Sequence, residues 1–315
     1  MKNKFLILIV MFGLIGIMVI SGCNSTNSYF EQGLANSKKG NYDQAILDYT
    51  QAIKMNPNDA ASCFNRGLAY CHKDNYDQAI SDFSRAIAIN PKLGEVYYNR
   101  GLAYEKKNNL GQAISDFDKA IKSYPNYMLV DVYRNRGISY ANKNNYDQAI
   151  SDFTKTIEIN PKDADAYIHR GAAYYQKANY DQSISDWTKV IEINPKLAIT
   201  YICRGIAYYK KGSFDQAISD FTKTIEINPK DADAYDNRGD AYDKKGNYDQ
   251  AISDCTKAIG IDPKLADAYN TRASAYFHKK EYDKAWNDVH KEEELGAKTD
   301  SKFLDDLKKE SGRKK

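Results

Sequence analysis

The sequence predicts an all-α fold made of stacked helical hairpins, and its seven prolines are the first reason. Successive prolines are 34, 34, 36, 34, 34 and 34 residues apart. A fixed self-similarity at this period is typical of arrays in which each unit is a pair of helices. The seven residues are Pro57, Pro91, Pro125, Pro161, Pro195, Pro229 and Pro263.

The second reason is a helical periodicity at the start of each repeat, which residues 164–197 illustrate. Tyr167, Gly171, Tyr174 and Ala178 follow one another at helical spacing, so one face is apolar with a gap at Gly171. This pattern predicts the first helix of the repeat, called helix A below.

A second helix, helix B, is predicted to follow in the same repeat. Asn179 is placed as its N-cap, and Gln182 three residues later makes a variant of the capping box. The helix is expected to run to about Ile193. Pro195 then stops it, because proline lacks an N–H and disfavours helical angles at the preceding residue.

The third reason is the recurrence of small and large residues at fixed places in the repeat. Small residues are expected where two helices approach closely, and aromatic rings where the space between them must be filled. The small positions are Gly67, Gly101, Gly137, Gly171, Gly205 and Gly239 on helix A, with Ala79, Ala113, Ala149, Ala217 and Ala251 on helix B. The aromatic positions opposite are Phe83, Phe117, Phe153, Trp187 and Phe221.

The repeat carries Tyr-x-x-Arg-Gly-x-x-Tyr on helix A, Tyr-x-x-Ala-Ile-x-x-Phe on helix B and a closing Asn-Pro. These motifs resemble the tetratricopeptide repeat (TPR) family, over residues 26–299 in eight copies. The resemblance implies a right-handed superhelical solenoid of eight TPR helix-turn-helix repeats. Their predicted bounds are 26–59, 60–93, 94–129, 130–163, 164–197, 198–231, 232–265 and 266–299, and two extra residues are placed after Pro125.

One core position of helix A is charged in seven of the repeats. An unpaired buried arginine would be costly, and an aspartate recurs sixteen residues after each one. We therefore predict a ladder of Arg–Asp pairs within repeats, in preference to an arginine track for phosphate or nucleic acid. The arginines are Arg66, Arg100, Arg136, Arg170, Arg204, Arg238 and Arg272, and the aspartates are Asp82, Asp116, Asp152, Asp186, Asp220, Asp254 and Asp288.

The N-terminus has the features of a signal peptide. Lys2 and Lys4 precede an uncharged run over residues 5–20, and Ile20-Ser-Gly-Cys23 follows. These four residues resemble a bacterial lipobox, which implies acylation of Cys23. We expect residues 1–22 to be a lipoprotein signal peptide and 23–28 a lipidated polar tether, with an uncleaved anchor as the alternative. The protein would then be lipid-anchored in a bacterial cell envelope, facing the periplasm or the exterior.

Charge and composition disfavour several other functions. Removal of residues 1–22 takes away two lysines and no acid, which lowers the net charge from +3 to +1, so nucleic acid is not an expected partner. The four histidines lack metal-ligand spacing, and no nucleophile elbow or phosphate-binding loop is present. We predict no enzyme activity, no cofactor, no metal site and no disulfide framework.

In proteins of the TPR family, helix A lines a concave groove, and its positions can be carried over by register. The candidates are Phe64, Asn65, Leu68, Tyr98, Asn99, Leu102, Arg134, Asn135, Ile138, Ile168, Ile202, Asp236 and Asp240. They change along the chain from apolar and amide-bearing to acidic. Ile138 stands where the family's carboxylate clamp would need an asparagine beside Arg134, so binding of chaperone tails is not expected.

These observations predict a membrane-tethered adaptor that binds a protein or an extended peptide in the groove. Divergence of solvated positions without any ligand is the plain alternative. A solute or glycan receptor using the tyrosine-rich groove is the competing function, and an enzyme is the third. Residues 300–315 are expected to form a capping helix, through Phe303, Leu304 and Leu307, and a basic tail.

Overall fold

The computed structural model describes residues 24–123 and 129–313, and within these ranges the chain forms seventeen α-helices and no strand. The first eight are α1 (Asn24–Lys38), α2 (Tyr42–Met55), α3 (Ala60–His72), α4 (Tyr76–Ile89), α5 (Gly94–Lys106), α6 (Leu110–Ser123), α7 (Leu129–Asn142) and α8 (Tyr146–Ile159). The others are α9 (Ala164–Gln176), α10 (Tyr180–Ile193), α11 (Ala198–Lys210), α12 (Phe214–Ile227), α13 (Ala232–Lys244), α14 (Tyr248–Ile261), α15 (Ala266–His278), α16 (Tyr282–Glu294) and α17 (Ser301–Ser311).

The helices pack in the order of the chain and form two compact units that divide after Ala103. In the first unit, α1 packs on α2, α2 on α3 and α3 on α4. In the second unit, the same succession runs from α6 to α16, and α17 contacts α16. Each helix therefore buries its apolar side against its neighbours in sequence, as expected for an all-α solenoid.

Helix α1 starts earlier than the sequence suggested. The stretch from Asn24 to Ser28, interpreted as a polar tether, is helical, and the Gln32 side chain donates to the Ser28 hydroxyl at 3.1 Å across one helical turn. No proline or glycine interrupts residues 24–32, so nothing in this stretch opposes the helix. The signal peptide, Cys23 and Pro125 lie outside the described residues.

The predicted close approach of helix A and helix B occurs at the glycines. A Cβ added at Gly205 would lie 2.7 Å from Phe221 Cε1, and one at Gly67 would lie 2.6 Å from Phe83 Cε1. Phe83 and Phe221 are fully buried. The absence of a side chain on helix A is therefore what lets each aromatic ring of helix B enter the hairpin.

The capping box predicted at Asn179 does not form. Asn179 precedes α10, but its side chain makes no capping hydrogen bond, because its backbone (φ −83°, ψ 67°) is not extended as an N-cap requires. The turn is closed instead by the amide of Asn179, which donates to the Tyr174 carbonyl at 2.9 Å. Ala178, between the two helices, takes the left-handed conformation (φ 57°) that this type of closure needs.

The last helix covers the apolar end of the preceding hairpin. Asp300 accepts from the amide of Phe303 at 2.9 Å and so caps α17. Leu307 is fully buried beside Trp286 and Val289, and the rings of Phe303 and Phe277 are 5.6 Å apart. Helix α17 thus covers the apolar surface that the hairpin of α15 and α16 would otherwise expose.

No helix within residues 24–123 and 129–313 is both long enough and apolar enough to cross a membrane.

Candidate functional site

The arginines of helix A form paired bridges within their own hairpins. In six of the predicted pairs, Nε and one terminal nitrogen of the arginine donate to the two carboxylate oxygens of the aspartate, at 2.6 to 2.9 Å. The aspartates are buried, so each pair is a bidentate bridge with little access to water. The pair of Arg100 and Asp116 stays a prediction.

The third arginine nitrogen links each hairpin to the one before it, a contact that the sequence reasoning missed. Arg204 donates to the hydroxyl of Thr188 at 3.0 Å, and Arg238 to Thr222 at 3.0 Å, in each case from helix A to the preceding helix B. Arg136 differs, because it meets the carboxylate of Asp118 at 2.6 Å. A serine or threonine sixteen residues before each of the other six arginines was the signal available in the sequence.

Tyrosine rings pack against the guanidinium groups of helix A, as around Arg204. Arg204 lies 5.8 Å from the ring centre of Tyr201 and 5.9 Å from that of Tyr208, on successive turns of α11. Because the guanidinium group makes these cation–π contacts and the bridge to Asp220, the arginine is part of the framework of the hairpin.

The candidate site lies on the opposite side of the A helices, where one A helix contacts the next. We call the four positions at i, i+3, i+7 and i+10 of each A helix the A-helix face. On α11 they are Ile199, Ile202, Ile206 and Tyr209, and on α13 they are Asp233, Asp236, Asp240 and Asp243. On α9 they are Asp165, Ile168, Ala172 and Tyr175, and on α15 they are Asp267, Asn270, Ser274 and Phe277.

On α11 the A-helix face is apolar. Ile206 and Tyr209 are half-buried against a cluster that contains Ala241 of α13. Ile202 is half-buried, whereas Ile199 is 54% exposed. Ile199 was not among the candidates, although it lies one turn before Ile202 on the same face. These side chains form an apolar strip on α11. Ile206 and Tyr209 pack near α13 at one end, and Ile199 is exposed to water at the other.

On α13 the same face is acidic and partly buried. Burial, followed by repulsion from Asp240, Asp267 and Asp233, raises the pKa of Asp236 to about 7, although a hydrogen bond from Thr271 opposes the rise. Asp243 is 6% exposed, and its Oδ2 accepts from Ser274 of α15 at 2.9 Å. Four carboxylates thus follow one another along one helix face.

On α15 the chain itself fills the face. The Asn270 amide donates to both carboxylate oxygens of Glu292 at 3.1 Å, and Thr299 donates to the same carboxylate at 2.7 Å. Glu292 is buried. The open part of the A-helix face in this unit therefore ends at α13.

Other candidates in the second unit are already engaged. Arg134 bridges two carboxylates, those of Asp131 on its own helix and of Asp163 at the start of α9. His169 stacks on Phe153 with ring centres 5.5 Å apart, and burial lowers its pKa. Ile138 and Ile168 are half-buried, as is Asn135. Arg134 is thus held by the protein's own acids.

In the first unit, the candidates combine core packing with amide groups at the surface. Phe64 is half-buried, with its ring 5.8 Å from that of Phe83, and Leu68 packs on the same core cluster. The side-chain amide of Asn65 donates to its own helix, to the carbonyl of Ala61 at 2.9 Å. Asn99 does the same with Glu95 at 2.8 Å, and Tyr98 and Leu102 are half-buried. Each asparagine side-chain amide thus donates one of its two N–H groups to its own helix.

Comparison with known proteins identifies the family. A family model described as "TPR repeat" matches residues 27–74, 67–108, 173–212 and 207–246, and one described as "Tetratricopeptide repeat" matches 94–127, 130–163 and 232–265. The chain belongs to the tetratricopeptide repeat family. No curated protein matches it.

Solved TPR structures share this fold at low sequence identity. The C-terminal part of a TPR repeat-containing protein from Cytophaga hutchinsonii has a TM-score of 0.66 and 23% identity, covering 77% of this chain and 98% of that one. A tetratricopeptide repeat protein from Parabacteroides merdae gives 0.57 and 21%, over 81% and 99%. YrrB, described as a TPR protein with an unusual peptide-binding site, gives 0.52 and 22%, over 57% and 92%.

A second set of ion pairs in this TPR chain also escaped the sequence reasoning. A lysine that ends each of several A helices pairs with an aspartate in the first turn of the previous helix B, as Lys211 does with Asp181 and Lys245 with Asp215. The corresponding aspartate of α16, Asp283, pairs with Arg313 instead of a lysine, at 2.6 Å. These aspartates are largely exposed, so their pairs contribute far less than the buried bridges.

The described cysteines and acids do not build a reactive centre in the TPR array. Cys63, Cys71, Cys203 and Cys255 are free thiols, and burial raises the pKa of Cys71 to about 12. Within the two described ranges, no group of three histidine, cysteine, aspartate or glutamate side chains could hold a metal ion. Thiolate or metal chemistry therefore finds no support at these positions.

Proposed function

We propose that this TPR protein is a membrane-anchored lipoprotein that acts as a scaffold outside the cytoplasm and binds a protein or an extended peptide on its A-helix face. TPR proteins bind proteins or peptides, which is the general part of the proposal. The apolar strip of α11 carries the specific part. Ile199 exposes 54% of its surface beside three further large side chains, and a partner would remove this strip from water.

The chemistry of the face suits an extended chain. The isoleucines of α11 offer apolar contacts for alternate side chains of a peptide. In the first unit, Asn65 and Asn99 border the A-helix face, each one residue after its i+3 position. Each uses one N–H on its own helix and keeps the other N–H and the carbonyl oxygen for a peptide backbone. YrrB, whose fold is similar, is described as having an unusual peptide-binding site. That likeness supports this class of ligand.

A capture experiment with matched variants tests the scaffold. Ile199→Asp places a charge on the exposed end of the α11 strip, and Ile193→Asp places the same charge on an isoleucine that is 42% exposed at the end of α10, away from the A-helix face. After crosslinking in intact cells, partners retained by the wild type and Ile193→Asp should be lost from Ile199→Asp. Equal capture by both variants would contradict the proposal, as would a thermal shift with sugars or solutes and no captured protein.

The lipid anchor rests on the lipobox-like Ile20-Ser-Gly-Cys23 after an uncharged run. Metabolic labelling with a fatty-acid analogue should tag the wild type in the membrane fraction. Cys23→Ala should lose the label and remain unprocessed. An unlabelled wild-type protein would refute the anchor and leave the peptide-binding part of the proposal intact.

A further inference from the structure

We propose that the acidic row of α13, formed by Asp236, Asp240 and Asp243, receives a lysine or arginine side chain of the bound peptide. This inference rests on the proposed function and names the ligand chemistry of one part of the same face. It identifies a basic anchor residue, next to the apolar strip of α11, as the feature that selects the partner.

The row lies on a face that is acidic in α13 and apolar in α11, although the surrounding framework of the two helices is the same. Asp233, Asp236, Asp240 and Asp243 stand where α11 has Ile199, Ile202, Ile206 and Tyr209. Both hairpins keep the arginine bridge, through Arg204 to Asp220 and Arg238 to Asp254. Four acids at four successive positions of one face are therefore not required by the fold.

Within the described ranges, the protein places one basic side chain, that of Lys244, within 4 Å of this row of acids. Lys244 lies 3.6 Å from Asp240 Oδ1 and 4.0 Å from Asp243 Oδ2, but its side chain is 48% exposed. Within the described ranges no basic side chain is within 4 Å of Asp236, whose Oδ1 has Cys255 Sγ of α14 at 4.0 Å. The face thus holds more negative charge than its own cations balance.

Asp243 is the member of the row whose hydrogen bonding is incomplete within the protein. Its Oδ1 is buried and has no hydrogen-bond partner, while its Oδ2 accepts from Ser274. A buried carboxylate oxygen without a donor is expensive, and a positive charge bound nearby would reduce that cost. Burial, a hydrogen bond with Asp240 and the charges of Asp240 and Asp243 raise the pKa of the Tyr209 hydroxyl, so Tyr209 lies within electrostatic range of both carboxylates.

The neighbouring groups favour an organic cation. The ring of Tyr209 presents a face for a cation, already approached by Lys210 at 6.0 Å, and Ile202 can cover the aliphatic stem of a lysine. Across from the row, α15 contributes Asp267 and His278, which act electrostatically on Asp236 and Asp243 respectively. The carboxylates do not converge as a metal-binding group.

Selection from random 12-residue peptides displayed on phage tests the inference with the full-length protein, purified from membranes in detergent. The test variant is D236N/D240N, which keeps the shape of the row and replaces two carboxyl groups by neutral amides. The control is D305N/D306N, which makes the same change of charge on exposed residues of α17. Wild type and control should enrich peptides with lysine or arginine at a fixed position, and the test variant should lose that preference.

Binding of one selected peptide, labelled with fluorescein, gives the size of the effect. Replacing its lysine by Nε-acetyl-lysine should weaken binding to the wild type by about tenfold, and leave binding to D236N/D240N unchanged within about twofold. Peptides enriched without a basic residue, or an equal basic preference in D236N/D240N, would overturn the inference while leaving the scaffold intact. If no peptide is enriched at all, the proposed function fails and the inference fails with it.

Discussion

Helices α11 and α13 are built on the same framework and differ on the A-helix face. Both have a glycine that admits a helix B side chain, at Gly205 and Gly239, and both have the arginine bridge. On the A-helix face, α11 has three isoleucines and a tyrosine, whereas α13 has four aspartates. The positions that hold the hairpin together are thus separate from those of the A-helix face, so the face can vary while the framework is kept.

The largest expected effect tests the shared framework. Asp220→Ala and Asp254→Ala each leave a partly buried arginine without its carboxylate, and each should lower the free energy of unfolding by about 3–5 kcal/mol. Urea unfolding followed by circular dichroism measures both. Asp215→Ala, which removes the exposed partner of Lys245, should cost less than about 1 kcal/mol.

The losses in unfolding free energy of Asp220→Ala and Asp254→Ala should be similar. If they differ from each other by as much as they differ from the loss in Asp215→Ala, the two hairpins do not share one framework.

The next effect concerns the close approach of the paired helices. Gly205→Ala places a Cβ 2.7 Å from the buried ring of Phe221 and should destabilise the protein by about 1–3 kcal/mol. Gly260→Ala is the control, because nothing lies within 4 Å of its added Cβ and alanine favours a helix. A thermal melt that shifts upwards for both variants would contradict this account of the glycine.

A pH series sharpens the contrast on the A-helix face. Because folding raises the pKa of Asp236 to about 7 from 3.8, the folded state retains a proton that the unfolded state loses between these values. The stability of the wild type should therefore fall from about pH 4 to about pH 7, relative to Asp236→Asn, and the gap should stay constant above pH 7. Urea midpoints of the two proteins across this range measure it.

Parallel curves for the two proteins would show that Asp236 titrates as an ordinary exposed aspartate. Asp305→Asn, on the exposed face of α17, serves as the reference for the same change of side chain at the surface.

The smallest effect lies in the turns that precede helix B. Ala178 has φ 57° where the hairpin of α11 and α12 has Gly212 at φ 80°. Ala178→Gly should stabilise the protein by about 0.5–1 kcal/mol, because alanine is strained in this region, and Gly212→Ala should destabilise it by a similar amount. Chemical denaturation should show a higher unfolding free energy for Ala178→Gly and a lower one for Gly212→Ala. A lower unfolding free energy in both variants would contradict the strain assigned to Ala178.

The framework can be anticipated from the sequence because it repeats. The sixteen-residue spacing of Arg204 and Asp220 recurs in every later copy, and this recurrence is enough to indicate a pair. The hydroxyl of Thr188 was missed, since serine and threonine at that position look like ordinary helix residues. A contact that depends on how one hairpin sits on the previous one is harder to infer than a contact inside a hairpin.

The face was harder to predict because its residues do not repeat. Arg134 looked like a ligand-binding cation, but Asp131 and Asp163 hold it, and the second of these lies at the start of the next helix A. Asn270 fell in the register of the face, yet Glu292 covers it from α16. Ile199 was overlooked because register was carried over from a family pattern instead of from the neighbouring turn of the helix.

The central claim is that the A-helix face, at the strip of α11, is where a partner chain binds. A photo-crosslinking amino acid placed at Ile199 tests it most directly in living cells, with the same amino acid at Ile193 for comparison. The account predicts a discrete crosslinked protein or peptide from position 199 and none from position 193. A crosslink from position 193 with none from position 199 would contradict it.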